Sequence, residues 1–269
     1  MRFAVHVPNF AEPGELVELG VTAEASGWDG MFLWDHVFGG PGFPVPMADP
    51  WVVLGALAVR TSTLRIGTAV TPLARRRPQK VAREAVTVDR LSGGRMVLGV
   101  GLGNPPDEYS AFGEPSDRAT AAARLDEALE VVTGLWMGEP FDHTGAAYTV
   151  RGAQFLPPPV QQPRIPVWTS CVVPHRAPLV RAARWDGLVL AALNDTGGIG
   201  PVTPDRLRDA LAEVGVVRGS LDGFDAAVVT PGLPSPSDLD AYEELGATWV
   251  LATGWMEQVH ELAEEEPPD

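Results

Sequence analysis

Apolar residues alternate through Phe3, Val5 and Val7, and Pro8-Asn9 end the run. The period then changes. Leu16, Leu19 and Ala23 recur at helical spacing between Glu15 and Ser26, and Gly27 stops them. This strand-then-helix grammar repeats along the chain to about Ala263, and eight units can be laid end to end. Strands are predicted over Gly30–Asp35, Leu64–Thr71, a glycine-ended run after Ser92-Gly93-Gly94-Arg95, Pro166–Thr169, Leu188–Leu193, Ala226–Thr230 and Thr248–Ala252. Asp49-Pro50 opens the second helix in N-cap and N1 style. Later helices are predicted over Pro78–Leu91, Arg118–Trp136, Ala177–Trp185, Leu207–Val214, Leu239–Leu245 and Met256–Glu264. Alternation of this kind predicts a single α/β domain, a (β/α)8 TIM barrel spanning residues 1–269, with its chemistry at the strand ends.

Two stretches break the pattern. Val37 to Met47 is rich in Gly and Pro and unusually long for a strand-to-helix link, which makes it a candidate substrate lid. From Gly138 to Pro166, Phe141, Tyr148 and Phe155 stand among Gly and Pro. This excursion after the fourth helix is expected to be a short hairpin packed over the barrel.

Composition narrows the function classes. The 269 residues carry a formal charge of −15. A basic face for phosphate neutralisation is therefore not expected, and neither nucleic acid nor a membrane is an expected partner. Apolar runs stay below the roughly 18 residues of a membrane span and no signal-peptide pattern opens the sequence, so a soluble cytoplasmic protein is expected. Cys171 is the only cysteine. No disulfide framework, zinc cluster or other metal site is expected. Lys80 is the only lysine, and it falls on a crossover helix, which argues against Schiff-base chemistry at a strand end.

The predicted strand ends supply Asn9, Asp35-His36, Thr71, Gly103-Asn104, Thr169-Ser170-Cys171, Asn194, Thr230 and Thr253. Hydroxyls, amides and glycines suit a phosphorylated cofactor, which needs donors aimed at oxygen and close backbone approach. A glycosidase would need two opposed carboxyl groups, and only Asp35 is well placed. A metal-dependent hydrolase would want clustered histidines, and the first strand offers His6 alone. Gly99-Val100-Gly101-Leu102-Gly103 is not expected to be a dinucleotide fingerprint, because the third glycine comes one residue early and Asn104-Pro105-Pro106 does not continue into a helix. Its glycines are expected to let a ligand lie against the exit of the fourth strand.

These residues resemble a known family. Trp34-Asp35-His36 ends the second strand, and Gly67 to Pro72 reads Gly-Thr-Ala-Val-Thr-Pro. Asp89 to Arg95 reads Asp-Arg-Leu-Ser-Gly-Gly-Arg and leads into Leu-Gly-Val-Gly-Leu-Gly. Together with Glu108-Tyr109, Leu125-Asp126-Glu127 and Ala182 to Gly187, they are similar to the bacterial-luciferase-like flavin-dependent oxidoreductases over roughly residues 1 to 190. The resemblance implies a TIM barrel holding FMN or the deazaflavin F420 at its C-terminal face, with a non-proline cis peptide at Ala69-Val70 against the ring. It implies cofactor contacts from Asp35, Ala69, Val70, Thr71, Gly103, Asn104, Thr169, Ser170 and Cys171, and catalysis by His36 with Asp35. It also implies a homodimer formed through the second and third helices, acting on a small-molecule substrate. Some relatives carry an acid where Asn104 stands and a Gly-Gly pair near Cys171-Val172, so the phosphate contacts depart from the family pattern.

Each signal keeps a plainer reading beside it. His36 is either a proton-handling or cofactor-contacting imidazole or a loop histidine bonded to backbone. Asp35 orients His36, bonds the ring, or merely stabilises a turn. Arg75-Arg76-Arg77 either grips the anionic tail of F420 or forms a solvated or subunit-contacting cluster. Cys171 reads as a wall residue rather than a nucleophile. The expected activity is monooxygenation with FMN or hydride transfer with F420. A flavin-binding protein without turnover and a non-redox barrel lyase are the alternatives.

Overall fold

The computed structural model describes residues 1–40, 42–195 and 198–268. Residue 41 of the expected lid and residues 196, 197 and 269 of the expected single domain lie outside the described residues. The elements run β1 (Arg2–Val7), α1 (Pro13–Ala25), β2 (Gly30–Leu33), α2 (Pro50–Arg60), β3 (Arg65–Pro72), α3 (Pro78–Leu91), β4 (Met96–Gly101), α4 (Asp107–Ser110) and α5 (Arg118–Trp136). They continue with β5 (Phe141–Thr144), β6 (Thr149–Ala153), β7 (Val167–Val172), α6 (Arg176–Ala182), β8 (Gly187–Leu193), β9 (Ile199–Gly200) and α7 (Pro204–Arg218). The last are β10 (Asp225–Pro231), α8 (Pro236–Leu245), β11 (Trp249–Thr253) and α9 (Met256–Glu264).

Strand order is β10-β11-β1-β2-β3-β4-β7-β8, and a β8–β10 pairing closes the ring. All eight pairings around it are parallel. This is the eight-stranded barrel expected from the alternation. Two apolar layers follow from the two-residue period of a strand. One cluster unites Ala4, Phe32, Ala69, Val97, Trp168, Val189, Ala227 and Trp249, which come from all eight barrel strands and from no helix, so it fills the interior. The other joins the alternate strand residues, such as Val5, Leu33, Ile66 and Leu98, to the inner faces of the helices. No helix among the described residues is long and apolar enough to cross a membrane.

The segment Asp89 to Arg95 is a corner at the end of the barrel opposite the strand termini. The Arg95 guanidinium donates to the carbonyls of Ala58, Thr61, Leu64 and Ser92. Asp89 is fully buried and accepts from the backbone of Val160 and Gln161 and from the Gln161 amide. Gly93 and Gly94 both have positive φ, which this turn requires. The excursion contains the expected hairpin, β5 paired antiparallel with β6. It does not pack over the barrel, however. Glu127 on α5 accepts from the backbone of Ala147 and Tyr148, and Arg83 and Arg90 on α3 donate to the carbonyls of Leu156 and Pro158. The hairpin therefore rides on the outer helices, beside a groove of about 420 Å³ lined by Pro78, Leu135, Tyr148 and Phe155. The mouth stays free of it.

Candidate active site

Residues at the C-terminal ends of β1 to β4 meet in one charged cluster. Asp35 follows β2, and its carboxylate is completely buried. It accepts from the Thr71 hydroxyl at 2.8 Å, the Trp51 indole at 3.3 Å and the Arg76 guanidinium at 2.5 Å. Arg75 donates to the Asp35 carbonyl at 2.8 Å and places Nη1 3.8 Å from Glu108 Oε2. Two acids and two arginines thus neutralise one another beneath the rim. The arginines turn inward, so Arg75 and Arg76 do not form the outward grip on an anionic tail that the sequence suggested. Arg77 alone of the three is exposed.

Asp35 is not bonded to His36. The His36 partner is Glu108, on the short helix α4, whose Oε1 lies 3.1 Å from His36 Nδ1. The same oxygen accepts from the Val37 and Phe38 backbone at 2.8 and 3.1 Å, which fastens the start of the expected lid to the loop after β4. Burial would raise the Glu108 carboxyl, but the His36 hydrogen bond and charge, the Val37 N–H and Arg75 outweigh it and hold the group below its usual range. A carboxylate that accepts at Nδ1 fixes the proton there, and leaves Nε2 of a neutral ring as the acceptor. Among the described residues His36 Nε2 has no hydrogen-bond partner, and the ring is partly open to solvent. Glu108 was legible only as part of the resemblance. No spacing in the chain ties it to His36, 72 residues away.

The floor of the mouth is β3. The Ala69-Val70 peptide is cis, as the resemblance implied, and the β3–β4 register shifts between Thr68 and Thr71. His6 Nε2 lies 2.5 Å from the Ala69 carbonyl. Since a carbonyl only accepts, Nε2 carries the proton and Nδ1 is a bare acceptor, buried and without a partner. Burial pushes the His6 pKa down to about 4, against the Ala69 bond and with help from the His36 charge. Trp34 lies over it with ring centres 5.6 Å apart, and its buried indole N–H is also unpartnered. The sequence weighed His6 only as a missing metal ligand. Its period-two position on β1, inside with Ala4, was the signal available.

The remaining expected contacts divide. Alternation with Trp168 puts Ser170 inside the barrel, where its Cβ would lie 3.1 Å from a Cβ on Gly101. Thr169 and Cys171 have the opposite parity, and Cys171 packs in the outer layer, so these two side chains face the helices. Thr71 is buried under the floor, bonded to Asp35 and Thr68. Gly103 and Asn104 stand in the loop after β4, with Asn104 exposed. The β4 glycines make room for protein rather than ligand. A Cβ on Gly99 would fall 1.9 Å from the Thr68 carbonyl oxygen, and one on Gly101 2.6 Å from Val70 Cγ2. Asn194 and Thr230 were expected at strand ends too. Asn194 accepts from the Gly198 backbone and Thr230 donates to the Gly232 carbonyl.

A flat ring with an amphiprotic edge fits the unpaired acceptor of His6 and donor of Trp34 above the Ala69-Val70 floor. Among the described residues no group of three or more His, Cys, Asp or Glu is placed to hold a metal ion.

A family model, that of the luciferase-like monooxygenases, matches residues 1–267. The chain belongs to this family. It is 33% identical over 218 residues to an F420-dependent glucose-6-phosphate dehydrogenase of Microbacterium testaceum, covering 78% of this chain and 62% of that protein. A protein of the same description from Rhodococcus erythropolis is 31% identical over 257 residues, 93% of this chain and 73% of its own length. The chain therefore spans less than two thirds of the first of these relatives. Among solved structures, the coenzyme F420 dependent tetrahydromethanopterin reductase from Methanopyrus kandleri superposes with a TM-score of 0.78 at 17% identity, covering 98% and 97% of the two chains. That likeness carries the fold.

Proposed function

We propose that the chain is an F420-dependent oxidoreductase that moves a hydride to or from a carbon bearing oxygen in a small organic substrate. The observation that carries this reading is the His36–Glu108 pair at the rim of a mouth floored by the Ala69-Val70 bulge. Sequence likeness to relatives described as F420-dependent supports the choice of cofactor.

F420, when bound, supplies the hydride acceptor or donor. His6, Trp34, Ala69, Val70 and Ser170 would hold its ring. The anionic tail would run toward the loop after β3, where Arg77 is an exposed cation. His36 then serves the substrate oxygen: Nε2 takes the hydroxyl proton in oxidation and returns it in reduction. Glu108 keeps the ring in the tautomer that can do so and stabilises the charge formed when Nε2 is protonated. Asp35 reaches this chemistry only through Arg75 and the loop backbone. FMN with monooxygenation is the competing reading, favoured by the description of the family.

Titration of the chain with both cofactors separates them. Micromolar binding of F420, with reduction or oxidation abolished in His36→Ala and retained binding in that variant, is the expected result. Micromolar binding of FMN alone refutes the proposal. We further propose a homodimer formed through α2 and α3. Val52 and Val59 lie seven residues apart on one face of α2 and are 72% and 63% exposed, a stripe that a second copy would cover. A monomer in sizing and scattering measurements refutes that. A single buried cysteine without a disulfide suits a cytoplasmic setting.

A further inference from the structure

We infer that the mouth takes an uncharged, largely apolar substrate, an alicyclic or aromatic alcohol or ketone, and not a sugar phosphate such as the one in the relatives' name. The inference rests on the oxidoreductase reading above and specifies the substrate class of the same site.

The wall on the β11–β1–β2 side is aromatic. Phe10, Phe43 and Trp255 come from the loops after β1, β2 and β11, with ring centres 6.2 to 6.4 Å apart. Phe10 also lies 5.2 Å from the His36 ring and 5.9 Å from Trp34. The proton-handling imidazole therefore opens onto this wall. Phe43 is 46% and Trp255 60% exposed, so the cluster offers apolar surface that the chain itself does not cover. Exposed apolar patches of this kind mark a binding surface rather than a packing one.

Charge argues in the same direction. The loops leaving β1, β2, β4, β8, β10 and β11 contain no lysine or arginine at all. Among the loops at this face only the one after β3 carries cations, and the next arginines stand in the first turns of α5, α6 and α7, away from the aromatic wall's own loops. Arg75 and Arg76 are spent on Asp35 and Glu108, and Arg176 pairs with Glu213 at 2.6 Å. A phosphate dianion near His36 would find Arg75 and Arg76 already facing Glu108, Asp35 and Asp49, and no lysine or arginine in the loops that carry the aromatic wall to offset its charge. A sugar would also need several hydroxyl partners. Most polar side chains at the strand ends already serve the backbone: Asn9 bonds His36 and Ala48, Thr253 bonds His6, Thr230 bonds Gly232 and Tyr109 bonds Leu102. A substrate with one oxygen function needs one partner, and His36 Nε2 supplies it.

Ligand-observed saturation-transfer NMR tests this, with cyclohexanol and glucose 6-phosphate as probes, on the chain before and after F420 is added. F420 binding is followed separately by its own absorbance. Cyclohexanol should bind and glucose 6-phosphate should not. Trp255→Ala should weaken cyclohexanol by about tenfold, the cost of losing one aromatic wall, and leave the F420 affinity within about twofold. Phe43→Ala, at a second exposed position, should act in the same direction. Tighter binding of glucose 6-phosphate than of cyclohexanol overturns the inference, as does the absence of cyclohexanol binding in both forms. Failure of F420 to bind, with Trp255-dependent cyclohexanol binding intact, sinks the F420-dependent reading and leaves the apolar site standing.

Discussion

His6 gives the sharpest physical test, because a neutral imidazole buried at the floor of the mouth must answer to acid. Its Nε2 donates to the Ala69 carbonyl and its Nδ1 faces no partner, so a second proton would create a buried cation with no counter-charge. The native pKa is accordingly down at about 4, against 6.5 when the ring is free. Between those values the unfolded chain binds a proton that the folded chain refuses, so stability falls as pH falls. At about 1.4 kcal/mol per pH unit, the full window is worth about 3 kcal/mol, and the step from pH 6.5 to 5 about 2 kcal/mol. Above pH 6.5 the group contributes no pH dependence. Urea denaturation followed by tryptophan fluorescence at pH 7.5 and 5.0 measures it, in the parent chain and in His6→Gln. The glutamine amide retains a donor for Ala69 and does not titrate. The parent should lose about 2 kcal/mol more than the variant over that interval. Equal losses in the two proteins would refute the reasoning, since every other acid-sensitive group is common to both.

Other perturbations follow from the same geometry. Asp35→Asn takes the nearer carboxylate from half-buried Arg76 and leaves it only Asp49 at 3.8 Å, which should cost about 3 kcal/mol in urea denaturation; a loss below about 1 kcal/mol would mean that solvent reaches the cluster. Gly99→Ala drives a Cβ to 1.9 Å from the Thr68 carbonyl oxygen, a backbone atom, so the variant should fold poorly or melt well below the parent. Cys171 is fully buried, with its thiol pushed up to about 12 by that burial, and should resist a thiol reagent at pH 8 until the chain unfolds. Rapid labelling of the native protein would overturn its placement. Glu108→Ala removes the acceptor shared by the Val37 and Phe38 N–H groups, and limited proteolysis should then cut the loop after β2 faster than in the parent.

Period and punctuation made the barrel legible. Val5 and Val7 alternate because one face of β1 meets the helices, and Leu125, Leu129 and Val132 recur because one face of α5 meets the sheet. The corner at Asp89 to Arg95 was the most specific string in the chain, and its work is structural: it ties two helix ends, a strand start and the returning excursion together. The cis peptide at Ala69-Val70 was accessible only through resemblance, because neither residue type favours it. The hairpin was visible but its resting place was not. The pairing of Glu127 with His143 and with the Ala147 and Tyr148 backbone shows that it rides on α5. Strand parity would have removed Thr169 and Cys171 from the list of side chains aimed at a ligand, had the start of β7 been placed by Trp168 facing inward.

The site was harder to read because adjacency in sequence is a poor guide to partnership at a strand end. Asp35 and His36 stand next to each other, yet successive side chains leave the backbone in different directions. Asp35 drops beneath the rim to Arg76 and Thr71, and His36 turns across the mouth to Glu108. Polar residue types at strand ends therefore mark two populations. Most are framework: Asn9, Thr71, Thr253 and Asp35 satisfy backbone or charge that the barrel itself leaves exposed. Of the unpartnered atoms at the mouth, His6 Nδ1, the Trp34 indole and His36 Nε2 carry no permanent charge, whereas Arg75 Nε and Nη1, Arg76 Nε and Glu108 Oε2 belong to the cluster whose charges offset one another. A mouth whose charged groups cancel internally, and whose free groups are neutral, selects its ligand by shape, apolar contact and one directed proton. That is why the aromatic wall, rather than the acid-imidazole dipeptide, is the feature from which the substrate should be sought.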